Sequence, residues 1–437
     1  MTLRAIHKAD FILAPSAPSP HNENFMLESP IPSSNLCATV APEAPRLCSR
    51  MLNNPVAPAA ATEVLIVGGG PAGLAAAIAL RQRGIDCTVV EARMPAIDKA
   101  CGEGLMPDSR ESLARLGVVL DESEGRPFRG IRFQNSLHRV DARFSRGAGI
   151  GVRRPHLHVL LASRAEEAGA LLLWNSHVQL SGSDAAADGL RTAMVDGQPV
   201  RFRWLIGADG QASSVRRWAG LDRARKRSLR FGFRTHYRVA PWSDLVEVHW
   251  GRGGQLYITP VAADCVCVVF ITRNPHCDRT AILSGFPEIA HRLEGAEIVS
   301  QQRGAVSATC KLLRVATDSV ALVGDASGSA DSITGEGLAI SFRQAFAVAE
   351  SIRSGSLEPY RRAHRQIGKL PHAMGALMLT LDRWPALEVR AMRAFASAPI
   401  FFQELLQAHM GEKSLGSVVL RRGPRFGWNL LTKGVRA

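Results

Sequence analysis

The chain has 437 residues, a formal net charge of +14 and an ordinary apolar share, which leaves room for two to three domains with a sizeable core. It carries no run of eighteen apolar residues and no basic-then-apolar secretory start, and its eight scattered cysteines show neither CxxC nor His/Cys zinc spacing. Membrane-spanning helices, secretion, a disulfide scaffold and a metal site are therefore not expected, and the thiols read as reduced and cytoplasmic.

Residues 1–60 are rich in Pro, Ser, Ala and Asn without periodicity, as in "APSAPSPHNENF". Such a segment buries too little apolar surface to offset its ordering entropy, so a disordered leader is expected there, dispensable over residues 1–50, with Met51 as a plausible initiator. From Glu63 the pattern changes. "EVLIVGGG" reads as a buried strand ending in glycines, "PAGLAAAIALRQRG" (71–84) as a helix with Pro in its first turn and Gly at its end, and "DCTVVEAR" (86–93) as a second strand. A helix is expected over 106–117 and two short alternating strands over 129–143. A further helix is expected over 152–170, with Leu157, Leu160, Leu161 and Ala165 on one face. His156 and His158 in that helix read as partly exposed. Strands run up to 210, and 229–272 is a block of β-rich runs without helices, which suggests a separate antiparallel sheet. After 337 the chain reads as helical to its end.

Three stretches carry chemistry. In "VLIVGGGPAGLAAAIALRQRGIDCTVVEAR" the spacing Gly68-x-Gly70-x-x-Gly73, with Ala72 beside it, sits between a strand and a helix. The first glycine permits the tight turn, the second lets the backbone approach a pyrophosphate, and the third allows close helix–strand packing. Glu91 ends the next strand eighteen residues past Gly73, where a carboxylate accepts from ribose hydroxyls and disfavours a 2′-phosphate. In "LIGADGQASSVRR" (205–217), Asp209-Gly210 follows a strand and precedes a helix, so Asp209 either caps that helix or bonds a ligand. In "VALVGDASGSADSITGEGLAISF" (320–342), Gly324-Asp325 ends a strand and Gly335-Glu336-Gly337 opens a helix. Asp325 can accept from a ribitol hydroxyl. A helix N-terminus stripped of side chains suits a flat ring that becomes negative on reduction. The expected ligand is a flavin, with Asp325 on its tail and the glycines under its ring.

In this order and spacing, the three stretches resemble FAD-dependent oxidoreductases of the para-hydroxybenzoate hydroxylase fold. That superfamily holds aromatic hydroxylases, geranylgeranyl reductases and flavin-dependent halogenases. The likeness covers roughly residues 62–355. It implies an α/β fold with a discontinuous Rossmann-like FAD domain (61–125, 150–217 and 309–355), an antiparallel β substrate domain (126–149 and 218–308) and C-terminal helices (356–437). It also implies that Asp209-Gly210 touches FAD and helps NAD(P)H engage, that Gly324-Asp325 contacts the ribitol, and that Arg154, three residues before Leu157, lies near the flavin.

Substrate is less legible. Hydroxylases of this fold usually carry Pro where this chain has Ser332 and Asn where it has Ala339. "TGEGL" (334–338) and "KACGEGLMP" (99–107) are closer to the reductases, and the halogenase WxWxIP motif is absent. Cys101, Ser332, Gly335 and Gly337 are the candidate flavin-loop residues, and Cys101 reads either as loop packing or as a thiol activated by Lys99. The expected activity is NAD(P)H-dependent monooxygenation of a hydrophobic or aromatic small molecule, with NAD(P)H bound only transiently because a second GxGxxG is missing. The alternatives are reduction of prenyl double bonds and a non-catalytic FAD-holding partner protein.

Charge is uneven. Residues 1–50 hold four Lys/Arg and four Asp/Glu, whereas 351–437 hold fourteen and five. The apolar runs 372–381 and 398–411, flanked by Arg and Lys, are expected either to cover the FAD domain or to lie at an anionic membrane surface. No nucleic-acid partner is expected, and the oligomeric state is not legible.

Overall fold

The computed structural model describes residues 59–432 apart from 183–185, 187 and 252. The leader expected at 1–60 lies outside the described residues except for its last two positions.

The strand Ala61–Val67 is the centre of a seven-stranded sheet. It pairs in parallel with Cys87–Glu91 on one side and with Gln198–Gly207 on the other. Leu171–Trp174 extends the first side, and Val320–Leu322 joins the end of Gln198–Gly207, also in parallel. Val64, Leu65 and Ile66 are fully buried. A strand covered on both faces needs such a continuous apolar run. Helix Pro71–Arg81 is buried along most of its length, from Gly73 to Leu80, against the sheet and helix Gly337–Arg353. The parallel arrangement brings the carboxyl ends of five strands, at Val67, Glu91, Trp174, Gly207 and Leu322, to one edge of the sheet. In open α/β sheets that edge is where ligands bind.

The second sheet has nine strands and is antiparallel except where Gly130–Gln134 runs alongside Val246–Gly251. Its spine is the long strand Ala224–Arg238, flanked by Cys265–Thr272 and Arg303–Leu312. The hairpin Gly130–Gln134/Arg139–Arg143 forms its far edge. A small sheet of Gly104–Leu105, Arg126–Phe128 and Gly149–Gly151 lies between these blocks in sequence and packs on strand Gly254–Ala262. The six described cysteines are free thiols.

Helices follow from Gly337 to Thr432. Tyr360 packs into the core of the parallel sheet. The later helices do something the sequence does not foretell: Met378, Phe395, Phe401, Phe402 and Leu405 pack on Val140, Ala142, Val248 and Trp250 of the second sheet. The cover expected over the FAD-binding half is thus, for the most part, a cover over the antiparallel sheet. Glu404, which breaks the apolar run 398–411, accepts from Lys413 at 3.1 Å and Arg422 at 2.8 Å and so ties helix Pro399–His409 to the chain that follows. No helix among the described residues is long and apolar enough to cross a membrane.

Candidate functional site

A cavity of about 720 Å³ opens at the carboxyl edge of the parallel sheet and continues under the C-terminal helices. One part of its wall is made of glycine turns. Gly68 has φ +110°, and a Cβ there would meet the backbone of Ala208–Asp209 at 2.5–2.9 Å. A Cβ on Gly73 would lie 1.9 Å from the Gly68 carbonyl oxygen, whereas one on Gly70 would meet nothing within 4 Å. Gly73 therefore serves helix–strand packing, and Gly70 leaves open space at the start of helix Pro71–Arg81. The turn is braced from two sides. Glu91 Oε2 accepts from the Gly69 N–H at 2.7 Å, and His158 Nε2 donates to the Gly69 carbonyl at 2.9 Å. His158 is fully buried, which corrects its expected exposure. Burial pushes its pKa down to about 4, so the ring is neutral at physiological pH. Position 158 shares the buried helix face with Leu161, Ala162 and Ala165, and that periodicity was the available signal.

Asp209 reaches the cavity wall and also caps a helix. Its Oδ2 accepts from the backbone of Ser214 and Val215 at 2.7 and 3.1 Å and from the Ser214 hydroxyl. Its Oδ1 is buried without a partner, as is Nε of Arg154 in the same wall. Asp325 lies on the short turn Gly324–Ser327 and accepts from Lys99 Nζ at 3.0 Å. Gly335 has φ +66°, closing the turn Ser332–Thr334 before helix Gly337–Arg353, and a Cβ on Gly335 or Gly337 would meet nothing within 4 Å. The turn is fixed by Asp331, which accepts from the Ile333 N–H at 3.1 Å and from buried Arg230 at 3.1 Å. Ser332 is engaged by the Ser307 hydroxyl at 2.8 Å.

Gly68, Gly70, Ala72, Glu91, Cys101, Arg154, Asp209, Gly210, Asp325, Ser332, Gly335 and Gly337 all line the one cavity. Gly73, Gly324 and Glu336 do not. Gly73 and Gly324 are packing positions, and the Glu336 side chain turns into the protein, 1 % exposed.

The loop around Cys101 is held by Glu103, a residue the sequence reading passes over. Glu103 is buried with φ +58°, a backbone region costly for a non-glycine residue. Its Oε1 accepts from Arg154 N–H at 3.0 Å and from Arg234 at 3.1 Å, and its Oε2 accepts from His236 at 2.6 Å. Arg234 also holds Asp98 through two hydrogen bonds of 2.8 Å. Glu103, His236 and Cys267 place their ligand-type atoms within 4.8 Å of one another, but Arg234 already occupies the carboxylate as its counter-ion. The beginning of the loop thus hangs from the long strand of the second sheet.

The part of the wall under the C-terminal helices is mostly apolar, with Tyr257, Thr259 and His409 as its polar members. Phe128, Ile131, Phe133, Val246, Val248, Val269 and Ile271 come from the small and antiparallel sheets, and Met374, Met378, Phe395, Phe402, Leu405 and Leu406 from the C-terminal helices. The helical contributors are legible only as apolar faces at helical spacing; nothing local says what they face.

The glycine turns fit a dinucleotide. Gly70, Gly335 and Gly337 leave space where side chains would stand, and Asp209 and Arg154 offer unsatisfied buried polar atoms beside it.

Comparison with known proteins agrees with this geometry. Residues 61–354 match the FAD binding domain family, and the chain belongs to that family of FAD-dependent oxidoreductases. It is 27 % identical over 369 residues to a menaquinone reductase of Mycolicibacterium smegmatis, covering 77 % of this chain and 89 % of that one. It is 28 % identical over 328 residues to the chloroplastic geranylgeranyl diphosphate reductase of Oryza sativa subsp. japonica, covering 67 % and 66 %. Among solved structures, a flavoprotein/dehydrogenase from Cytophaga hutchinsonii superimposes with a TM-score of 0.70 at 18 % identity, over 82 % of this chain and 95 % of that one, and so shares the fold.

Proposed function

We propose that this protein reduces carbon–carbon double bonds in an isoprenoid chain. The observation that carries the reading is the continuity of one cavity from the glycine turns into a chamber walled by Phe, Ile, Val, Leu and Met side chains. A long apolar chain gains from such a wall at roughly 25 cal/mol per Å² of surface removed from water. Met374 and Met378 can adapt to irregular prenyl units. Relatives whose names denote menaquinone and geranylgeranyl diphosphate reduction support the same choice.

Gly70 and the amides of helix Pro71–Arg81 would hold the pyrophosphate of FAD, Glu91 the ribose, Asp325 the ribitol, and Gly335 with Gly337 the ring. Asp325 would exchange its partly exposed bond with Lys99 for that contact. Bound FAD supplies two-electron chemistry, with NAD(P)H as a transient donor. The chain itself binds the substrate, excludes water and sets which bond meets the ring. The apolar chamber that continues beyond the glycine turns speaks against a purely FAD-holding role.

Oxygen separates this reading from monooxygenation. Under anaerobic conditions with NADPH, a geranylgeranyl lipid or prenylated quinone is expected to gain the mass of two hydrogens per bond reduced. Turnover that requires oxygen and adds an oxygen atom instead would establish hydroxylation.

We also propose that the C-terminal helices rest on membrane, where such substrates reside. Trp384 is 58 % and Leu420 82 % exposed, with Ile400 likewise exposed, and Arg383 stacks over Trp384 with its guanidinium 6.0 Å from the ring centre. Each Lys or Arg near anionic lipid adds about 1 kcal/mol. Salt-sensitive flotation with anionic liposomes that disappears on truncation at Gly355 is the expected result. No flotation at low salt leaves these helices only their packing role.

A further inference from the structure

Glu336 stands between the two glycines of the ring turn, at the N-terminus of helix Gly337–Arg353. Its carboxyl group is buried behind the cavity wall. Oε1 lies 3.9 Å from Nη2 of Arg343, on the same helix. Oε2 has no hydrogen-bond partner and faces Nδ1 of His409, from helix Pro399–His409, at 3.8 Å; that nitrogen is unpartnered too. Arg343 is also bonded to Asp108, from helix Pro107–Arg115, at 2.7 Å. A buried carboxyl group and a half-buried one thus share one guanidinium. Burial, with Arg343 adding its charge, holds His409 down at about 4, so the imidazole brings no second cation. Burial raises Glu336 to about 8, opposed by Arg343 and assisted by Asp108. The acid is mostly neutral at physiological pH and ionises just above it.

A negative charge at this place acts on the free amides of the first helical turn. Those amides, with the helix dipole, favour negative charge in the cavity beside Gly335 and Gly337. A carboxylate one residue before the helix draws on the same field.

We propose that Glu336 is a charge switch for the ring site: as a neutral acid it leaves the helix end free to favour negative charge in the cavity, and as a carboxylate it cancels that preference. The proposal rests on the reading that the ring of FAD lies against Gly335 and Gly337. It makes Glu336 a positioning residue, acting through the helix end rather than by contact with substrate. His409, which also makes a hydrogen bond to the Thr334 backbone in the cofactor turn, sets helix Pro399–His409 against that turn.

The test is the midpoint potential of bound FAD, measured by dye equilibration on the purified holoprotein between about pH 6 and 9. Wild-type protein is expected to show a downward break near pH 8 beyond the flavin's own slope. That break corresponds to a loss of roughly 2- to 30-fold in the preference for reduced over oxidised FAD, the range a helix-end interaction spans. Glu336→Gln is expected to lack the break and to follow the neutral limb throughout. Arg343→Gln removes the cation that opposes the shift and is expected to move the break to higher pH. A Glu336→Gln curve that superimposes on wild type overturns the proposal. So does a break that Arg343→Gln leaves unmoved. Protein that never takes up FAD overturns the underlying cofactor reading, a distinct and visible outcome.

Discussion

Gly70→Val is expected to purify colourless, with its melting temperature in the FAD-free state close to that of FAD-free wild type. The separation of these effects follows from the geometry of the turn. Gly70 has φ −71° and ψ 176°, an extended backbone open to any residue, and a Cβ there meets nothing within 4 Å. A side chain there therefore starts without a clash at its Cβ and projects into the space the pyrophosphate needs. At this N-cap, whose glycine carries no side-chain cap bond, valine is expected to cost on the order of 1 kcal/mol, whereas a branched side chain in the phosphate path removes both the backbone approach and the helix-end contact. Gly73→Ala is the contrasting case, since its Cβ would stand 1.9 Å from the Gly68 carbonyl oxygen and the turn itself would have to move. Retention of full FAD absorbance in Gly70→Val would show that the phosphate site lies elsewhere.

The ease with which residues 61–91 can be read has a physical cause. Strand, turn, helix and strand are consecutive there, so the close approach of Gly73 to the Gly68 carbonyl is local and leaves a spacing in the sequence, even though Gly68 also answers to the backbone of distant Ala208–Asp209. The open face of Gly335 and Gly337 is legible for the same reason, because glycine at a helix start has few purposes. The parts that resist reading depend on partners far along the chain. Glu103 looks like an ordinary loop acid until strand Ala224–Arg238 brings Arg234 and His236 to it. Asp209 could be assigned to a helix cap or to a ligand, and the fold shows both oxygens in use or available for these separate ends. The apolar faces of 372–381 and 398–411 announce burial, but a helical period is silent about whether the opposing surface is the parallel sheet, the antiparallel sheet or lipid. The chamber therefore becomes visible only when the second sheet and the C-terminal helices are placed together, and with it the argument for an isoprenoid substrate.

Glu103→Gln is expected to destabilise the protein at neutral pH by roughly 3 kcal/mol, the low end of what removal of one partner from a buried ion pair costs. The low end applies because Arg234 keeps Asp98. What the variant loses is the charge that Arg234 faces at 3.1 Å; its amide nitrogen would oppose that guanidinium, or face His236 Nε2, which accepts from it only if the ring changes tautomer. Burial pushes the Glu103 carboxyl up, but the hydrogen bond from His236 and the positive charge of Arg234 outweigh it and hold the group below the usual carboxylate range. Burial meanwhile keeps His236 below its ordinary value, so it donates as a neutral ring while its Nδ1 is 2.7 Å from the Ser300 hydroxyl. The sign of the pH effect follows. A carboxyl group depressed in the folded state contributes stability that is present above its unfolded value, about 4.3, and is lost as pH falls through its folded value. The gap between wild type and Glu103→Gln should thus be full at neutral pH and narrow progressively below about pH 4. Urea midpoints at pH 7 and in mild acid measure it. Equal midpoints at pH 7 would mean that the loop carrying Cys101 and Gly104 is held without this ion pair, and that the left-handed backbone of Glu103 is sustained by packing alone.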